Sequence, residues 1–250
     1  MARDIRMSGE VAGVVGRELS DSMRAGPEPG RYECAVCNGP GDADSEATSI
    51  VVHRYPQYLN VVYAHASCAA PAVVQREGGD LSALYRAHVT PLLITDPDGG
   101  GWPVLVIEPL NPAHVISPGA AGLRNLHVST WLSEGLALMG LPPDIPPPEA
   151  DGWRVVLMPD DADGNRARVT VHCRLGSPSG PVVIADDAPI RPTGSWINEA
   201  RERQQVIIYA GDTSLRRIER KTAENVVMAV TEAAYKGLLA GGLAQAAIIG

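Results

Sequence analysis

The stretch Cys34-Ala35-Val36-Cys37 and its counterpart His65-Ala66-Ser67-Cys68, with 27 residues between them, decide how the first third of this 250-residue chain is read. Within each pair two residues separate the outer side chains, a gap at which a tight knuckle turns both toward one point. Gly39-Pro40-Gly41 follows the first pair as a turn would. Ser49 to Tyr55 and Leu59 to His65 are rich in β-branched and aromatic residues and meet through Pro56-Gln57, so a hairpin is expected to carry the second pair back to the first. Pro71, with Val73 and Val74 behind it, predicts a short helix whose N-terminus lies near Cys68.

Three thiolates and one imidazole are the donor set that suits zinc, which takes a tetrahedron of soft or borderline ligands. Cys34, Cys37, His65 and Cys68 are therefore expected to hold one structural zinc ion, and no open position is left for a reactive water. His53, on the first strand of the hairpin, is expected to be an ordinary histidine. The succession of knuckle, hairpin and second pair resembles the treble-clef class of zinc fingers. Its Cys, Cys, His, Cys order resembles the first zinc module of a LIM domain. The resemblance covers residues 34–68 and implies the same four ligands.

Outward from this module, residues 1–30 predict an N-terminal helix. Ser8 is placed to cap it, Val11, Val14, Val15, Leu19 and Met23 fall at helical spacing, and the run from Gly26 to Gly30 ends it. The zinc module spans 31–79. Over 80–140 the sequence predicts a helix from Leu81 to His88, a hairpin of Pro91 to Thr95 with Val104 to Glu108, and a helix from Leu123 to Met139 closed by Gly140. Residues 141–152 hold five prolines and predict an extended linker. From 153 to 250 the pattern gives strands at Trp153 to Met158, Ala167 to Arg174, Val182 to Ala185 and Gln205 to Ala210, then a long helix from about Thr222 to Leu238. The expected class is α+β: a zinc module followed by antiparallel sheet segments packed with helices.

Chemistry outside the zinc pairs has few candidates. Strand alternation in Val169 to Arg174 sends Cys173 and His172 to opposite faces, so these neighbours cannot form a catalytic pair. Asp186 and Asp187, and the loop aspartates Asp160, Asp161 and Asp163, are expected to be solvated turn carboxylates. Arg201, Arg203, Arg216, Arg217, Arg220 and Lys221 form the one local excess of base that suits phosphate. A formal charge of −8 opposes a sequence-independent grip on nucleic acid elsewhere.

Residues 1–20 lack the apolar core of a secretory signal, and Glu232 and Lys236 interrupt the most apolar C-terminal stretch, so neither export nor a membrane span is expected. A cytoplasmic chain with reduced cysteines follows. The small, apolar end from Ala240 to Gly250 is expected to dock, within the chain or on a second copy. The functional expectation is a zinc-stabilised, non-catalytic binding or scaffold protein. Its partner is expected to be protein, or itself, before nucleic acid. The alternative is an enzyme whose site lies in the C-terminal α+β part, with a purely structural zinc.

Overall fold

A computed structural model describes the chain apart from residues 1–2, 26–28, 56–58, 78–86, 96–98, 110–113, 116–123, 141–145, 161–164, 174–179, 216–217, 219–221 and 250. It divides into two compact units, 1–80 with 113–126 and 81–112 with 127–250.

In the first unit β1 (Ile5–Arg6) precedes two helices, α1 (Gly9–Val15) and α2 (Arg17–Ala25). The Ser8 side chain caps α1 by accepting from the Val11 N–H. The single helix expected over 8–24 is broken at Gly16, whose φ of 81° no helix can accommodate. β2 (Arg31–Glu33) pairs with β3 (Pro40–Asp42), and β4 (Thr48–Arg54) pairs antiparallel with β5 (Leu59–His65), the expected hairpin. β6 (Ala72–Gln75) runs parallel to β4, so the segment after the second pair is a strand and not the expected helix. Val73 and Val74, β-branched and half-buried, gain more from that edge than from a helical turn. His114–Val115 and Arg124–Asn125, β9 and β10 in chain order, extend the sheet beyond β5. Val11, Val15, Leu19 and Met23 of the helices pack with Ile50, Val52, Val61 and Tyr63 of the sheet, and Tyr32 and Cys34 join the same core. The knuckle thus grows out of a packed core.

The second unit is built on a seven-strand path: β14 (Val182–Ile190), β13 (Ala167–Cys173), β12 (Glu149–Pro159), β16 (Leu239–Ile248), β15 (Gln205–Gly211), β8 (Gly101–Pro109) and β7 (Ala87–Thr95). The expected β7–β8 and β12–β13 hairpins are present. The sheet is mixed, however, because β12 runs parallel to β16 and β15 parallel to β8. It curls, bringing its edge strands β7 and β14 toward each other. Strand alternation builds two cores. One face presents Leu105, Ile107, Val155, Leu157, Val169, Val171 and Ile208 to Trp131, Trp153 and Trp196. The other presents Val104, Val106, Ile207, Tyr209 and Leu243 to Val226, Val230, Ala233 and Ala234 of α5 (Ala223–Tyr235).

Several expected boundaries move. The helix predicted to Met139 is α3 (Leu126–Ser133), stopped by Gly135 at φ 95°, after which Ala137–Leu138 (β11) pairs with β16. Of the proline-rich stretch read as a linker, 141–145 lie outside the described residues, and its end from Glu149 belongs to β12. α4 (Gly194–Arg203), capped by Thr193, was not among the expected helices. The predicted helix over 81–88 lies outside the described residues as far as Arg86, and Ala87 and His88 belong to β7.

The largest departure is the C-terminus. α5 ends at Tyr235, Gly237 takes a φ of 67°, and the apolar end becomes β16, seated between β15 and β12. Its glycines are spatial requirements. A Cβ on Gly241 would lie 2.6 Å from Met139 Sδ, and one on Gly242 2.7 Å from Ala150 Cβ. The apolar composition of this end is met by burial inside the chain itself.

Candidate metal centre

Backbone bonds set the two ligand pairs. In the knuckle the Asn38 N–H donates to the Cys34 carbonyl at 2.9 Å and the Cys34 N–H to the Gly39 carbonyl at 2.8 Å, with Asn38 in the left-handed region at φ 57°. The Ala35 N–H donates to the Tyr63 carbonyl at 2.9 Å, tying the knuckle to β5 two residues before His65. A second turn, closed by Cys68 N–H to His65 C=O at 2.8 Å, swings Cys68 back beside the imidazole.

The result is a single cluster. One ligand atom from each of Cys34, Cys37, His65 and Cys68 lies within 4.8 Å of the other three. His65 Nδ1 is 3.5 Å from Cys37 Sγ and 3.6 Å from Cys68 Sγ. A tetrahedral zinc with ordinary Zn–S and Zn–N bonds has an N···S edge of about 3.6 Å, so these separations suit one ion bound through Nδ1. The opposite ring nitrogen is engaged elsewhere: Nε2 lies 3.0 Å from the Pro40 carbonyl oxygen and 3.6 Å from Glu46 Oε1. None of the four cysteines forms a disulfide.

The electrostatics favour a cation. Burial raises the Cys34 thiol, but hydrogen bonds from the backbone of Cys37, Val36 and His65 and from the Cys37 side chain outweigh it and hold Cys34 at about 6. Burial pushes Cys68 up, and its hydrogen bonds and like charges with Cys34 and Cys37 add to the rise. Crowded thiolates repel one another, and a divalent ion among them removes that repulsion. The hydrogen bond to Pro40 is the main influence raising His65. Tyr32 flanks the site, its ring centroid 5.9 Å from both His65 and Tyr63 and its hydroxyl 3.0 Å from Thr48 Oγ1. A Cβ on Gly41 would clash with Tyr32 Cζ, so any side chain there would have to displace the Tyr32 ring.

The other sequence candidates are not drawn together. Among the described residues the four-residue cluster is the one group of His, Cys, Asp and Glu close enough to hold a metal, and His172, Asp186 and Asp187 are not part of any such group. Arg168 engages both Asp187, at 2.5 Å, and Asp160, at 3.8 Å. Asp161 and Asp163 lie outside the described residues. His53 lies 3.3 Å from the Arg76 guanidinium, away from the ligands, and Cys173 is a buried core residue. Of the basic group, Arg201 and Arg203 sit in the last turn of α4. Arg203 is occupied by the Gly101 carbonyl and Glu199 and stacks 4.1 Å over Trp102. Arg216, Arg217, Arg220 and Lys221 lie outside the described residues. The contacts of Glu46 and Pro40 to His65 carry no local signal in the sequence.

Fold and site together define a zinc-binding module followed by an α+β unit on a curled mixed sheet. The chain belongs to the family described as a domain of unknown function (DUF8842), whose model matches residues 88–247. Residues 5–78 match the model of the SCO1756-like putative zinc-binding domain, which takes in all four ligands. No curated protein and no solved structure matches the chain. Among the described residues no helix is long and apolar enough to cross a membrane.

Proposed function

We propose that this chain is a non-catalytic binding or scaffold protein of the cytoplasm in which the zinc is purely structural. One observation carries the reading: three sulfurs and one imidazole nitrogen converge within 4.8 Å, a complete ligand set that leaves zinc no position for a substrate or an activated water. A hydrolytic site keeps three protein ligands and one exchangeable position. The candidate chemistry of the second unit also lends an enzyme little support, since Asp160 and Asp187 share ion pairs with Arg168.

A protein partner, or a second copy, is favoured over nucleic acid. The net charge of −8 opposes phosphate, and Val227, Met228 and Tyr235 leave apolar area exposed on α5. The test has three arms. Cobalt exchanged into the full chain should give the spectrum of a four-coordinate thiolate-rich site that added azide leaves unchanged; a response to azide would mean an open position and overturn the structural role. Light scattering with size exclusion reads self-association, and titration with mixed DNA and RNA across salt should show no binding. Salt-dependent binding would replace the protein-partner reading with a phosphate-binding one.

A further inference from the structure

We infer that Glu46 is a positioning residue for the metal centre, its carboxylate charge beside Nε2 raising the donor strength of His65 in the orientation that the Pro40 carbonyl fixes. The inference rests on the reading of Cys34, Cys37, His65 and Cys68 as zinc ligands. His65 presents Nδ1 to the two sulfurs and directs Nε2 at the Pro40 carbonyl oxygen 3.0 Å away, which fixes the proton on Nε2 and leaves Nδ1 as the free donor. Glu46 Oε1 stands 3.6 Å from the same Nε2, too far for a hydrogen bond and close enough for its charge to act on the ring.

The carboxylate is itself held. Glu46 Oε1 accepts the Asp42 N–H at 2.7 Å, and Asp42 ends β3, the strand that begins with Pro40. The carbonyl that receives the Nε2 proton and the anion beside it are therefore carried on one short strand and the turn that follows it. The Thr48 strand closes that turn, since the Ala66 N–H next to His65 donates to the Ala47 carbonyl at 3.0 Å. A negative charge on the far side of a metal-bound imidazole raises its donor strength toward the metal. This arrangement also gives a reason for an acid at position 46 that the turn alone does not require, because a neutral amide would accept the Asp42 N–H equally well.

That difference supplies the test. Zinc affinity of the full chain is measured by chelator competition for wild type, Glu46→Gln and Glu46→Ala, and the His65 ring is followed by long-range proton–nitrogen NMR of the zinc-loaded protein. Glu46→Gln keeps the acceptor for Asp42 and removes the charge; it should weaken zinc binding by about three- to tenfold and move the Nε2–H signal of His65. A Glu46→Gln constant within about twofold of wild type, with only Glu46→Ala weakened, would overturn the inference and leave Glu46 as a turn residue. A loss of affinity with the Nε2–H signal unmoved would overturn it as well. Should Glu46→Gln fail to fold, Glu46→Asp carries the same question, because it keeps the charge and should stay within about threefold of wild type, and a larger loss would count against the charge. A wild-type chain that takes up no zinc would instead bring down the ligand assignment itself, so the two failures are distinct.

Discussion

The indole N–H of Trp196, on α4, lies 3.1 Å from both the Leu92 and the Val104 carbonyl oxygens, two residues that face each other across β7 and β8. One buried donor thus joins a helix to a strand pair about a hundred residues earlier in sequence. Trp196→Phe keeps most of the ring and leaves both carbonyls without that donor. It should cost about 1–3 kcal/mol in chemical denaturation, and Trp196→Ala more, about 3–5 kcal/mol, because a cavity is added. Equal losses for the two variants would mean that the hydrogen bond matters and the packing does not.

Gly242 tests the placement of the C-terminus as a central strand. Valine there must displace Ala150 and Leu136, whose atoms a Cβ would meet at 2.7 and 2.9 Å. The expected penalty is about 1–3 kcal/mol or more. At Gly140, where a Cβ meets nothing within 4 Å, Ala should be nearly neutral. A thermal melt of both variants decides, and indifference at Gly242 would contradict the strand.

His53 gives a pH dependence with a definite sign. Burial, reinforced by Arg76, lowers its pKa from the ordinary 6.5. The unfolded chain then takes up the proton first as pH falls through about 6.5, so this histidine subtracts stability on the acid side and none above it. Compared at fixed zinc from pH 7.5 to 5.5, His53→Gln should lose less stability than wild type. Parallel curves would show that His53 ionises alike in both states.

Removal of zinc should act on the first unit. Cys34 is wholly buried and belongs to the same core as Val11, Met23 and Ile50, so uncompensated thiolates there oppose that core. Chelation should lower the melting temperature of the full chain and expose amides of β2, β3 and the knuckle to hydrogen exchange, while the β12–β16 and β15–β16 amides keep their protection. Uniform loss of protection would contradict a locally acting metal.

The two pairs that form the cluster were legible because their information is local: two residues fix each turn, and their donor chemistry suits zinc. The hairpin between them and those of the second unit followed from runs of β-branched residues. What the sequence concealed depended on distant neighbours. Leu239–Ile248 carries small residues that suit a helix end or a docked tail, and only the neighbouring Met139, Tyr209 and Ala150 make its glycines necessary in a strand. Val73 and Val74 fit a helical turn or an edge strand, and the parallel partner β4 decides between them. α4 was hidden because its helical face is short and its anchor, Trp196, finds its acceptors in β7 and β8. Glu46 acquires its relation to His65 only once β3 and β5 are brought together.

The most direct measurement of the metal centre is zinc-edge X-ray absorption on the purified, chelator-free chain. The expected result is one zinc per molecule, with three sulfurs at about 2.3 Å and one imidazole nitrogen at about 2.0–2.1 Å. Absence of zinc, or a first shell containing an oxygen ligand from solvent, would contradict a closed site made by Cys34, Cys37, His65 and Cys68.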